Sequence, residues 1–197
     1  MIDEVQFQQH GSRCRMWIPP EEKDPVMFHA PTRKKVGYFG AVRIRDGKFI
    51  FQREEERFNG QNFLAFLKKL YRISRQHNRH IYVVLDNARY HHAKLHKLWR
   101  ELWAENFTLI FLPAYSPDMN TIERVWKYTR RLCIHNYYFK NLNELKTVVE
   151  KQFQQWKCPN ENLRKLCAIT YDAMYSKKER GSRKRDGNSD RRTKTPN

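Results

Sequence analysis

Apolar residues along the chain fall into short runs of strand length and longer amphipathic stretches of helix length. In Met1-Ile2-Asp3-Glu4-Val5-Gln6-Phe7 the apolar positions recur near a spacing of two, which predicts a first strand. Val36 to Ile44 and Lys48 to Gln52 are two more strand runs. Between them, Arg45-Asp46-Gly47 holds the Asp-Gly pair of a tight hairpin. From Gln61 to Gln76 the pattern changes. Phe63, Phe66, Leu67, Leu70 and Ile73 recur at three and four residues, as on one face of a helix. His80 to Asp86 is a nearly continuous apolar run, expected of a strand buried on both faces, and Phe107 to Leu112 is another. Residues 89 to 104 read as a helix. So does Asn120 to Tyr137, with Ile122, Val125, Trp126 and Cys133 inward, and so do 141 to 156 and 160 to 174. Residues 8 to 34 read as an irregular connection and Pro113 to Asp118 as a turn. A hairpin beside strands that are joined through helices implies an α/β fold, a mixed five-stranded sheet flanked by helices.

At 197 residues, with 40% apolar and 14% aromatic side chains, the chain can bury one core of ordinary size, and wholesale disorder is excluded. The charge is uneven. Ser176 to Asn197 has nine Lys or Arg, three acids and no aliphatic or aromatic residue, so residues 1 to 175 are expected to fold and 176 to 197 to form a disordered basic tail. The whole chain carries a formal charge of +18, an argument for a nucleic-acid partner or an anionic surface. No apolar run reaches the roughly 18 residues of a membrane span. Met1 to His10 lacks the basic and apolar regions of a secretory signal. Cys14, Cys133, Cys158 and Cys167 are scattered without a C-x-x-C pair, which favours reduced thiols in a cytoplasm over a disulfide framework or a zinc knuckle.

Three acids stand out by position. Asp3 lies in the first strand, Asp86 ends the fourth, and Glu123 opens the helix after the fifth. In open sheets with parallel strands, chemistry gathers beyond the strand carboxyl ends. Cutting or exchanging a phosphodiester needs an activated oxygen and a stabilised leaving oxygen, and two Mg2+ ions roughly 3.5–4 Å apart supply both. Mg2+ takes hard oxygen ligands and keeps several waters, so a few carboxylates suffice.

Two segments carry more than spacing: Val83-Val84-Leu85-Asp86-Asn87-Ala88-Arg89-Tyr90-His91-His92-Ala93, and Phe111-Leu112-Pro113-Ala114-Tyr115-Ser116-Pro117-Asp118-Met119-Asn120-Thr121-Ile122-Glu123-Arg124-Val125-Trp126. They resemble two signature blocks of the mariner-like transposases, in the bacterial branch called insertion-sequence family 630. Ile2-Asp3-Glu4-Val5-Gln6-Phe7 and Val36-Gly37-Tyr38-Phe39-Gly40-Ala41 resemble its earlier blocks. The resemblance runs to about residue 155. It implies a ribonuclease H-like DDE catalytic domain with Asp3, Asp86 and Glu123 as catalytic and metal-binding triad, and Mg2+ as cofactor with Mn2+ as substitute. It also implies cleavage of double-stranded DNA at transposon ends and strand transfer to target DNA, in a homodimer in a bacterial cytoplasm. Full-length members carry helix-turn-helix modules ahead of this domain, and none is read here. The expectation is therefore a catalytic part whose helix-turn-helix part is separately encoded, or a truncated remnant. Thr121 stands where the family usually has Pro, leaving Asn120 as the expected helix cap.

Other readings of the same residues stay open. Asn120-Thr121-Ile122-Glu123 also fits a capping box, with Glu123 reaching back to the Asn120 N–H. Glu4 points to the opposite face of the strand from Asp3 and reads as structural. Asp118 belongs to the turn, and the role of Tyr115 is not readable. Trp126 reads as core. His92 and His96 stand four apart as zinc ligands can, but no third ligand accompanies them. Arg89, His91, His92, Arg124, Lys127, Arg130 and Arg131 are the candidate DNA-backbone contacts, the last four as a track along one helix. The competing functions are a catalytically inactive DNA-binding remnant and a ribonuclease H-like nuclease without strand transfer.

Overall fold

The structure is a computed structural model and describes residues 1–15, 28, 32–75, 79–113, 116 and 119–169. The expected basic tail, the turn residues Tyr115 and Asp118, and the far ends of the first long helix and of the stretch 160 to 174 lie outside the described residues. Strands β1 (Ile2–Gln8), β2 (Lys35–Val42) and β3 (Phe49–Glu54) form an antiparallel sheet in the order β1-β2-β3, with Asp3 opposite Gly40 and Glu4 opposite Phe39. The β2–β3 hairpin turns through Gly47 at φ +69°, a conformation that favours glycine. The Arg43 guanidinium closes on Asp46 in the same turn.

Helix α1 (Gly60–Ser74) follows. Asn59 caps it by accepting from the backbone N–H of Gln61 and Asn62, and the Asn62 side chain returns the bond to the Asn59 N–H at 2.8 Å. Its apolar stripe buries Phe63, Phe66, Leu67 and Leu70. Strands β4 (Ile81–Leu85) and β5 (Phe107–Phe111) pair in parallel. Helices α2 (Lys97–Leu102), α3 (Ile122–Cys133), α4 (Leu142–Gln155) and α5 (Glu161–Leu166) complete the described elements. No helix among the described residues is long and apolar enough to cross a membrane.

Alternation along β1–β3 divides the core in two. Val5, Phe7, Tyr38, Val42 and Phe49 face α3, α4 and α5, while Ile2, Phe39, Ala41 and Ile50 face α1, Val83, Leu85 and Phe107. Three expectations change. The five strands form two ladders, β1-β2-β3 and β4-β5, although β1 and β4 come within 8 Å of each other. β4 and β5 are buried on one face only. Tyr82 is 63% and Ile110 43% exposed, because the core under α3–α5 draws its strand residues from the first ladder. A continuous apolar run looks the same whether one face or two are covered. Lastly, residues 89 to 104 do not form one helix. They form two 3-10 turns, Arg89–His92 and Lys94–His96, and the short α2. Ala88 and Ala93, with ψ near +136° and +137°, break the helical path on either side of the first turn. That turn carries His91 into the interior.

Candidate catalytic site

Two strand positions and one helix position carry the three candidate acids. Asp3 is the second residue of β1, on the face toward α3. Its Oδ2 accepts a 3.0 Å hydrogen bond from the indole N–H of Trp126, one turn into α3. The indole reaches this place by packing closely against β2 at Gly40. A Cβ on Gly40 would collide with the Trp126 ring, so this glycine is required by close approach. Among the described residues no cation pairs with Asp3. Burial, the neighbouring Glu4 charge and, to a lesser degree, Asp86 push its carboxyl up to about 7, against the opposing pull of the indole.

Glu4 points to the other face of β1, as strand alternation requires, and it is not idle there. Its Oε1 accepts from His91 Nε2 at 3.0 Å, and His91 Nδ1 donates to Asp86 Oδ1 at 3.0 Å. A ring whose two nitrogens both meet carboxylates is satisfied only when doubly protonated. Burial pulls the His91 pKa down, but the bonds to Asp86 and Glu4 outweigh it and hold the group up at about 9. The ring is 1% exposed and packs at 4.3 Å, centroid to centroid, on Phe63 of α1. The His91 bond in turn holds the Asp86 carboxyl below the usual carboxylate range. Asp86 is exposed at the end of β4. Its Oδ1 also accepts from the Ala88 N–H at 3.1 Å, and the adjacent Asn87 side chain bonds to Leu112 after β5.

Glu123 stands in the first turn of α3. No capping box forms there. Thr121 occupies the cap position without a side-chain bond, and among the described residues no hydrogen bond or ion pair holds the Glu123 carboxylate. Nor is Asn120 the side-chain cap. It turns away and donates to the Ile2 carbonyl at 3.4 Å, which ties the start of α3 to the strand residue beside Asp3.

The basic candidates separate. Arg89, Lys127 and Arg131 are exposed. His92 is exposed, stacks on Phe111 at 4.3 Å and meets Asn87 Oδ1 at 3.3 Å. His91 is buried with both nitrogens engaged, so it has no atom to offer a phosphate. Arg124 donates to the Leu166 carbonyl, and the Arg130 guanidinium lies 5.5 Å over the Phe7 ring. Those two cations are spent on packing, leaving Lys127 and Arg131 as the open part of the track. His96 is fully buried, and one ring nitrogen bonds to the Tyr90 carbonyl. Burial, then Arg100, lowers its pKa to about 4.

Sequence reading missed the Glu4–His91–Asp86 cluster, whose ligand atoms all lie within 4.8 Å of one another. The available signal was a histidine in the turn after Asp86 that faces inward. Its partner Glu4, 87 residues away, gave none. The Trp126 bond to Asp3 was missed too, since periodicity places a residue inward without naming what its polar atom meets.

The chemistry of these carboxylates suits a hard divalent cation, although the ligand atoms within 4.8 Å of one another are those of Glu4, Asp86 and His91. Asp3, Asp86 and Glu123 carry hard oxygens, and Asp3 sits close to two other acids with only neutral N–H groups, the Glu4 backbone and the Trp126 indole, against it. A cation removes that repulsion.

The family model of the DDE superfamily endonucleases matches residues 1–146. A protein of Sinorhizobium fredii, y4pE/y4sA, is 34% identical over 68 residues, which cover 34% of this chain and 47% of that protein. The fold is similar to that of the Mos1 strand transfer complex (19% identity, TM-score 0.59). It is also similar to Mos1 transposase in a paired-end complex with the left transposon end (18%, 0.61) and to the Mos1 mariner paired-end complex with Mn (17%, 0.60). These likenesses cover 84% of this chain and 49%, 50% and 50% of the other chains in turn, so the chain spans about half the length of the proteins it matches.

Proposed function

Because the chain belongs to the DDE superfamily endonucleases, we propose that it is the catalytic domain of a transposase. It cleaves double-stranded DNA at transposon ends and transfers the freed strand to target DNA. The observation that carries this reading is the approach of Asp3 and Asp86 from neighbouring strands, with the start of α3, and so Glu123, tied to β1 through Asn120. In this reading the two ladders are halves of one five-stranded ribonuclease H-like sheet, with β1 beside β4. The domain acts as a homodimer in a bacterial cytoplasm, with its helix-turn-helix part separately encoded.

Asp3, Asp86 and Glu123 would hold Mg2+, or Mn2+ in its place. When bound, such ions activate the attacking oxygen and stabilise the leaving oxygen of the phosphodiester. The chain's own residues prepare the site. Trp126 fixes the Asp3 carboxylate in one rotamer. His91 keeps Asp86 ionised and aimed. Lys127, Arg131 and Arg89 draw in the DNA backbone by charge.

The test is cleavage of a supercoiled plasmid carrying the element's own ends, with Mg2+ or Mn2+, by the full chain and by Asp86→Asn. Cleavage and joined products from the full chain and neither from the variant are expected. Equal cleavage by both would sink the assignment. Cutting without joining would favour a nuclease, and salt-sensitive DNA binding with no cutting would favour an inactive remnant.

A further inference from the structure

The segment after the His91 turn carries two stripes of residues. His96, Trp99 and Trp103 recur at three and four residues and face inward. His96 is buried, the Trp99 ring lies 5.2 Å from that of Phe107, and the Trp103 ring lies 4.8 Å from that of Tyr71. Leu95, Leu98 and Leu102 recur at the same spacing one residue earlier, about 100° round the helix. They are 51%, 73% and 80% exposed. Single exposed apolar side chains are ordinary. Three in one stripe are not, because a helix that is apolar on two sides is suited to burial on both.

The charges beside the stripe have a direction. Lys94 precedes Leu95 as Glu101 precedes Leu102, so the two stand about two turns apart on the same flank, both exposed. Residues 94 to 105 hold three cations, Lys94, Lys97 and Arg100, and two acids, Glu101 and Glu105, a formal charge of +1 on a chain of +18. DNA is drawn by charge to other parts of the surface. Two copies of the chain, which repel each other over most of their surface, can approach here.

We infer that the Leu95–Leu98–Leu102 stripe is the contact of a two-fold homodimer, laid antiparallel on the same stripe of a second copy. In such an interface one patch meets itself, so every contact occurs twice. Leu98 meets Leu98 at the axis, Leu95 meets Leu102 of the second copy, and Lys94 meets its Glu101. A parallel pairing would put both Lys94 side chains at one end and both Glu101 side chains at the other, like beside like. Glu101 now lies 3.8 Å from Lys97, an exposed pair too weak to stop it turning to the second copy. The face is small, three leucines from each copy, so the dimer forms and separates with concentration. The inference rests on the homodimer reading above, to which it gives a surface, and it is independent of the metal.

The test is sedimentation velocity of the full chain from about 1 to about 100 µM. A monomer–dimer equilibrium is expected. Leu98→Glu should weaken it about a hundredfold or more, with circular dichroism and thermal unfolding unchanged because Leu98 is exposed. Lys94→Glu and Glu101→Lys should each weaken it about tenfold, since each sets like charges across the interface, and the two together should restore it. With the exposed Cys14 and Cys158 replaced by Ser, Leu98→Cys should give a disulfide-linked dimer under mild oxidation. Leu102→Cys, about 10 Å along the pair from its own copy, should not. A chain that stays monomeric at every concentration overturns the proposal, and with it the homodimer of the chain alone. A dimer that survives Leu98→Glu overturns the proposal and leaves the homodimer reading standing on another surface. Charge reversals that do not rescue each other overturn the antiparallel pairing.

Discussion

Replacing Asp3 with Asn should make the metal-free protein more stable at pH 8 while abolishing cleavage. The Asp3 carboxyl stands at about 7 in the fold against 3.8 when exposed, because burial and the adjacent acids oppose its charge. A carboxyl whose pKa is raised contributes stability that is fully present below pH 3.8 and lost as pH rises through 7. Three units at about 1.4 kcal/mol each set an upper bound of roughly 4 kcal/mol for that loss. Glu4 shares the interaction, so about 2–4 kcal/mol is expected. Asn has nearly the same shape and keeps an oxygen for the Trp126 indole, so little else changes. The assay is urea unfolding of both proteins in EDTA from pH 4 to 8. The advantage of Asp3→Asn should be near zero at pH 4, grow up to pH 7 and then level off. Adding Mg2+ at pH 8 should stabilise the natural chain and not the variant. A difference that stays constant with pH, or a variant less stable at pH 8, would refute the reasoning.

His91→Ala leaves Glu4 and Asp86 facing each other without their cation. Thermal unfolding at pH 6.5 should show a loss of about 3–5 kcal/mol. Since the His91 pKa is raised to about 9, its contribution is complete below pH 6.5 and fades as pH climbs through 9. The gap between natural chain and variant should narrow in the same window, and a gap that widened there would exclude the imidazolium. Gly40→Ala drives a methyl into the Trp126 ring. It should cost about 1–3 kcal/mol in urea unfolding and shift tryptophan emission as the indole leaves Asp3, so an unchanged spectrum would count against the contact. Neutralising Lys127 and Arg131 together should lower the slope of log affinity against log salt for plasmid DNA by about 2, whereas Arg124→Ala should register first in stability. An unaltered slope would remove those two residues from the DNA path.

Much of the fold was legible because it is local. Alternation in β1, the Asp-Gly turn before β3 and the three-and-four spacing of Phe63, Phe66, Leu67 and Leu70 are each decided by neighbours within a few residues. What escaped was decided across the chain. The segment after Asp86 has helical spacing, but His91 is drawn inward by Glu4, and a 3-10 turn broken from α2 results. The run 81–85 is apolar enough for two-sided burial, and only the placement of α3–α5 over the other ladder leaves Tyr82 open. Gly40 gave no sign in the sequence that an indole from a helix some 86 residues later would rest on it.

The acids around the site are handled in opposite ways, and that contrast argues for function over stability. Glu4 and Asp86 are clamped by one buried imidazolium, so their charges are answered within the fold. Asp3, one residue from Glu4, is given only neutral N–H donors, from the Glu4 backbone and the Trp126 indole, and no cation among the described residues. A fold selected for stability alone would place Asn at position 3, keep the indole bond and lose the repulsion. Retaining a carboxylate there makes sense where a cation from solution completes the balance. In the proposed reading, stability given up in the empty state would be recovered on binding, and the clamp on Asp86 would hold an ionised partner in position for the incoming cation.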